Sequence, residues 1–180
     1  QDPTNVPYDV GASLSEQVQE SFEVSKKNLK CDYIDSLVLH SPLETWEKTL
    51  EVWEAMQKLV RTGELGQIGI SHLYDPQALK ALIQNSQTPV RVVQNRFFKD
   101  TAYDFELREV CKQNSITYQS FWTLTANPHL LESEVILGLA KKHEKTPAQI
   151  LFRYLVHEKV CPLIGTTSEK HMEEDLAILG

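Results

Sequence analysis

Stretches with helical apolar spacing alternate with short β-branched runs along this chain, and that alternation restricts the fold more than any other feature. A strand flanked by helices pairs with the next strand in parallel, through a helical crossover. Ser13 and Glu16 form a capping box, after which Val18, Phe22, Ser25 and Leu29 share one helical face. Tyr33 to Leu39 reads as a strand. Thr45 caps the next helix, with Trp46, Leu50, Trp53, Met56 and Val60 at packing spacing and Gly63 as its stop. Leu65 to Ile70 is a strand. Asp75-Pro76 opens a helix that buries Leu79, Leu82 and Ile83. Val90 to Gln94 follows as a strand, and Asp104 caps a helix carrying Leu107, Val110 and Cys111. Ile116 to Phe121 is a strand, followed by a longer loop, Thr123 to His129. Val135 to Ala140 is helical. Thr146-Pro147-Ala148-Gln149 opens another helix by cap, proline and capping-box glutamine. Cys161 to Ile164 is the last strand, and Ser168 caps a final helix with Met172, Leu176 and Leu179 inward.

Five strands with helices between them predict an α/β fold, a partial (β/α)8 TIM-type barrel with parallel strands and outer helices. A full barrel has eight strands and about 250 residues, and this chain has 180. An open doubly wound sheet is the structural alternative. No Gly-x-Gly-x-x-Gly appears, so a Rossmann dinucleotide site is not supported. One composition regime without linker or repeat predicts a single domain over residues 1–180. The chain begins at Gln1 in a loop-like Asp2-Pro3-Thr4-Asn5-Val6-Pro7 and stops at Gly180. That is expected of part of a longer barrel, or of a processed or trimmed chain.

Hydrophobic content of 41% and charged content of 24% are those of an ordinary soluble protein. A net charge of -7 argues against a nucleic-acid or anionic-membrane surface. No apolar run is long enough to span a bilayer, and no signal-peptide pattern opens the sequence. Cys31, Cys111 and Cys161 are far apart and odd in number, so they read as small core-lining residues in a reducing, cytoplasmic setting. His129, His143 and His157 lack metal-ligand spacing, and no metal is expected.

The strand ending at His40 carries the first candidate chemistry, because strand tips are where barrel active sites sit. Asp32-Tyr33-Ile34-Asp35-Ser36-Leu37-Val38-Leu39-His40-Ser41-Pro42 resembles the aldo-keto reductase stretch around the catalytic histidine. Gly63 through Ser71 resembles that family's Gly-Lys-x-Arg-x-Ile-Gly-x-Ser-Asn segment. Val93-Gln94-Asn95 resembles its strand ending in Gln, and Ala140 to Leu151 its Ala-x-x-x-x-x-Thr-Pro-Ala-Gln helix. The ordered set covers nearly the whole chain.

The resemblance implies the C-terminal portion of a barrel oxidoreductase that reduces aldehydes or ketones by hydride transfer from NAD(P)H. The family's tyrosine donates the proton, assisted by lysine and aspartate, while histidine orients and polarises the carbonyl. In the family's order Asp, Tyr and Lys precede the histidine strand, so only His40 maps onto this chain. Tyr8, Tyr33, Tyr74, Tyr103, Tyr118 and Tyr154 do not match the family's tyrosine and read as packing or surface residues.

For the cofactor, the resemblance assigns Ser71 and Gln94 to the nicotinamide amide, with His72 where asparagine is usual. Gln119 stands where the family stacks a tyrosine, and Ser120 and Trp122 follow along the pyrophosphate path. Around the adenosine 2'-phosphate, Gly165, Thr166 and His171 replace lysine, serine and arginine. Glu174 matches the family's glutamate, and Asp175 replaces asparagine. Thr166, Thr167 and the amino end of the Ser168 helix suit a phosphate. The lost cations favour NADH over NADPH.

Two functions follow. One is an NAD(P)H-dependent reductase of small carbonyl substrates, inactive without the acid-bearing N-terminal half. The other is a non-catalytic truncated barrel used as an interaction or nucleotide-sensing module. An open barrel leaves strand edges bare, so a homodimer or strand swap is expected. Phe97, Phe98 and Trp122 suggest an apolar substrate pocket.

Overall fold

Residues 6–179 are described by the computed structural model of the chain; positions 1–5, with Asp2 to Asn5 of the expected leading loop, and Gly180 lie outside the described residues. The strands are β1 (Ile34–Leu39), β2 (Leu65–Ser71), β3 (Val90–Arg96), β4 (Thr117–Phe121) and β5 (Val160–Pro162). They form a parallel sheet in chain order, β1-β2-β3-β4-β5. Ile34 stands opposite Leu65 and Leu39 opposite Ile70, while Tyr118 stands opposite Val160 and Ser120 opposite Pro162. The helices are α1 (Leu14–Leu29), α2 (Trp46–Arg61), α3 (Pro76–Asn85), α4 (Phe105–Gln113), α5 (Pro128–Leu131), α6 (Glu134–His143), α7 (Pro147–His157) and α8 (Glu169–Leu176). No helix among the described residues is long and apolar enough to cross a membrane.

Local chemistry sets most helix starts. The Ser13–Glu16 box closes, with Ser13 N–H donating to Glu16 Oε2 at 2.9 Å. Thr45, Asp75 and Ser168 accept from the backbone of Lys48, Gln77 and His171. Thr146 and Gln149 form the second box, which begins α7. Gly63, with φ of 81°, turns the chain out of α2.

The chain divides into two compact units, residues 1–93 and 94–180. In the first, Phe22, Trp53, Met56, Ile68, Leu79 and Val93 make the core. Full burial of such a side chain stabilises by about 1.5–3 kcal/mol. Trp53 Nε1 donates to Ser86 Oγ at 2.7 Å, and Gln57 Oε1 accepts from Thr88 N–H at 2.7 Å, so these two side chains have partners for their buried polar ends. In the second unit Leu107, Cys111, Tyr118, Phe152, Leu155 and Val160 are the corresponding core.

Several expectations are corrected. Leu29 is exposed, and α1 buries Phe22 alone of its expected face. The last strand ends at Pro162, short of Ile164, although Leu163 N–H still donates to Ser120 O at 2.8 Å. Cys161 on that strand is exposed, not core-lining, because side chains alternate about it and Val160 takes the inward position. Met172, Leu176 and Leu179 are 46%, 72% and 66% exposed, while Ile178 is the buried residue of this segment. They face a hollow shared with Val156 of α7, Val160 and Ile164 and are left uncovered there. Instead α8 meets α7 through Gln149 Nε2 donating to Glu174 O at 2.7 Å. Asp104 precedes α4 but makes no side-chain cap; its φ is 51°, and its carboxylate turns into the core.

Candidate functional site

In the first unit, β1 and β2 end on His40 and on Ser71-His72. Their parallel register carries these residues to the same end of the sheet. The imidazoles of His40 and His72 stack, with centroids 5.3 Å apart and planes within 12°. His72 Nδ1 lies 2.9 Å from His40 O and 3.1 Å from Ser71 Oγ. A carbonyl oxygen only accepts, so Nδ1 is the protonated nitrogen. His72 adopts a left-handed φ of 54°, disfavoured for a non-glycine residue, and these bonds oppose that preference. Tyr74 meets its ring edge-on at 6.3 Å. His40 is exposed and borders a hollow of about 570 Å³ lined also by Leu37, Leu39, Leu43 and Met56. Tyr8, which sequence reasoning set aside, lines the same hollow.

In the second unit, Gln94 Nε2 donates to Gln119 Oε1 at 2.9 Å. The bond consumes one donor and one acceptor, leaving Gln94 a carbonyl oxygen and Gln119 an amide nitrogen of the kind that pair with a carboxamide. Ser120 is fully buried, and its hydroxyl is engaged inward with Thr123 Oγ1 at 2.9 Å. Trp122 takes a left-handed φ of 56° and is exposed. The Arg96 guanidinium lies over its ring at 4.2 Å and over Phe98 at 5.2 Å, both within cation–π range. Phe97, expected at an apolar pocket, is buried against Tyr103 at 4.9 Å.

Trp122, Thr166, His171, Glu174 and Asp175 come together on one groove of about 1020 Å³. It is roomy for a small-molecule site. Thr167 is exposed beside it. Burial pushes the Asp175 carboxyl up, His171 opposes the shift and Glu174 adds to it. Glu174 also pairs with Lys170 at 3.6 Å. No lysine or arginine lines the groove among the described residues. Two carboxylates accept hydrogen bonds of the kind that ribose hydroxyls donate, and the indole of Trp122 offers an apolar face. Sequence reasoning missed Thr123, Glu132 and Thr146 in this lining, since nothing local marks a residue that a groove reaches only after folding. Among the described residues, no group of three His, Cys, Asp or Glu side chains gathers to hold a metal ion.

The aldo/keto reductase family model matches residues 6–179. A glyoxal reductase from Bacillus subtilis is 28% identical over 158 residues, covering 88% of this chain and 55% of its own. Prostaglandin F synthase 1 from Bos taurus is 27% identical over 191 residues, covering 91% of this chain and 59% of its own. Of solved structures, an aldo/keto reductase from Brucella melitensis superposes with a TM-score of 0.81 at 26% identity, over 91% of this chain and 62% of that one. An aldo-keto reductase solved with NADPH shares the fold at 20% identity and a TM-score of 0.78, over 91% of this chain and 55% of that one. The chain thus spans a little over half the length of the relatives it matches. Because the family match runs through the described residues from end to end, and a solved member superposes on the same α/β scaffold, the chain belongs to the aldo/keto reductase family.

Proposed function

We propose that this chain is the dinucleotide-holding part of a reductase of aldehydes or ketones, with His40 as its carbonyl-orienting residue and the proton donor lying outside these 180 residues. The observation that carries the reading is the groove of Trp122, Thr166, His171, Glu174 and Asp175, which gathers residues from separate strand and helix ends. A bound nicotinamide dinucleotide supplies the hydride. His40 donates a hydrogen bond to the carbonyl oxygen where negative charge develops. In the first unit Ser71 and His72, and in the second Gln94 and Gln119, carry donors and acceptors of the kind that a nicotinamide amide takes, and such bonds fix which ring face is presented. Thr166, Thr167 and the amino end of α8 receive the phosphates, and Ser120 holds Thr123 on the groove wall.

Asp175 and Glu174 disfavour a 2'-phosphate, Glu174 less so because it pairs with Lys170, and among the described residues no lysine or arginine lines the groove to bind one, so NADH is the preferred form. The single domain over residues 1–180, the cytoplasmic setting, and a homodimer or strand swap belong to the same proposal. Calorimetric titration with NADH and NADPH tests it. NADH is expected to bind about tenfold more tightly, a difference of about 1.4 kcal/mol. Tighter NADPH binding reverses the preference, and uptake of neither nucleotide overturns the dinucleotide reading.

A non-catalytic, nucleotide-sensing module is the second reading. It is favoured by the bonds of His72 to His40 O and Ser71, which turn candidate cofactor groups toward one another. Aldehyde-dependent NADH oxidation by the 180-residue chain tests both readings: each expects none, and turnover abolished by His40→Ala would show that this chain carries its own acid and exclude the non-catalytic module.

A further inference from the structure

Asp104 is 4% exposed and accepts two hydrogen bonds at 2.8 Å, from Asn95 Nδ2 and from Tyr118 OH. Asn95 follows Gln94 on β3, and Tyr118 precedes Gln119 on β4. Successive strand residues face opposite sides of a sheet. Gln94 and Gln119 therefore join on one face, while Asn95 and Tyr118 meet at Asp104 on the other. Two transverse ties, one direct and one through a carboxylate, cross the same pair of strands at the same level.

The backbone that delivers this carboxylate is unusual. Ala102, Tyr103 and Asp104 are consecutive left-handed residues, with φ of 49°, 54° and 51°. Non-glycine residues in this region cost free energy, and such strain persists where surrounding contacts over-determine it. Here Arg108 Nε donates to Tyr103 O at 3.0 Å, and Tyr103 OH and His129 Nε2 lie 3.1 Å apart. Burial pushes the Tyr118 hydroxyl well above the usual phenol range, and the Asp104 charge adds to this. Tyr118 stays a donor to Asp104 across the working pH range.

We propose that Asp104 is a positioning residue for the cofactor-facing glutamines: bound to Asn95 and Tyr118 behind β3 and β4, it fixes the directions of Gln94 and Gln119 in front. This rests on the dinucleotide reading of those glutamines. A charged acceptor is suited to the task because its hydrogen bonds are roughly twice as strong as neutral ones.

The test compares the unaltered 180-residue chain with Asp104→Asn, Tyr118→Phe and a control, Leu107→Ala, which loosens the same core without touching the clamp. Amide exchange reads the clamp without any cofactor. Asp104→Asn is expected to speed exchange about tenfold at Gln94–Arg96 and Gln119–Phe121 while α7 is unchanged. An even acceleration throughout the unit overturns the proposal. NADH titration reads the consequence. Asp104→Asn and Tyr118→Phe are expected to weaken binding about tenfold, with Leu107→Ala within twofold of the unaltered chain, although it unfolds at lower urea. Equal weakening by the control, or none by the clamp variants, also overturns it. If the unaltered chain takes up no dinucleotide, the proposed function falls and the exchange pattern alone decides the clamp. If Asp104→Asn fails to fold, Tyr118→Phe carries both measurements.

Discussion

Burial pushes the Cys111 thiol up to about 12, and the Asp104 carboxylate adds to the shift, whereas Cys161 is exposed. Thiolate is the reactive form, so iodoacetamide at pH 8 is expected to label Cys161 while Cys111 stays unmodified until urea unfolds the chain. The same shift links stability to pH. Between the ordinary 9.0 and about 12, the unfolded thiol loses its proton and the folded one keeps it. Its contribution is therefore full below pH 9 and lost as pH rises toward 12. Cys111→Ala is expected to flatten the alkaline fall in urea midpoint; an unchanged fall would assign it to other groups. His40, Ser71 and Gln94 were legible as candidates because a motif and a strand end mark each. Asp104 was not. Its neighbours spell a helix cap, and only the approach of Asn95 and Tyr118 draws the carboxylate inward.

Helix starts were legible because a cap and its recipient amide lie within three residues of each other. Which face a neighbour covers is a different matter. The spacing of Met172, Leu176 and Leu179 states that they travel together, and their exposure shows that nothing described covers them. Glycines in β2 carry a further constraint. A Cβ on Gly69 would stand 2.6 Å from both Val92 Cβ and Val92 O. Backbone cannot yield as a side-chain tip does, so Gly69→Ala is expected to cost about 1–3 kcal/mol in urea unfolding. A cost near zero would mean that β2 and β3 separate freely just before Ser71.

At the scale of the molecule, β1 and β5 are the terminal strands of the sheet, and exposed apolar side chains stand beside β5. Bare edges and apolar patches invite association. Sedimentation of the 180-residue chain is expected to show mass rising with concentration, and Leu176→Lys to weaken that rise. A mass of 20.6 kDa at every concentration would remove the homodimer from the proposal. The sequence by itself determined the alternation of elements, the parallel α/β class, the caps and the family's strand-end residues, all encoded within a few neighbouring positions. Only the tertiary structure decided that five scattered residues share one groove, that His72 bonds back to His40, and that Asp104 clamps two strands. Those contacts join residues far apart in sequence, and their geometry exists only once parallel pairing and packing have fixed where each chain segment runs.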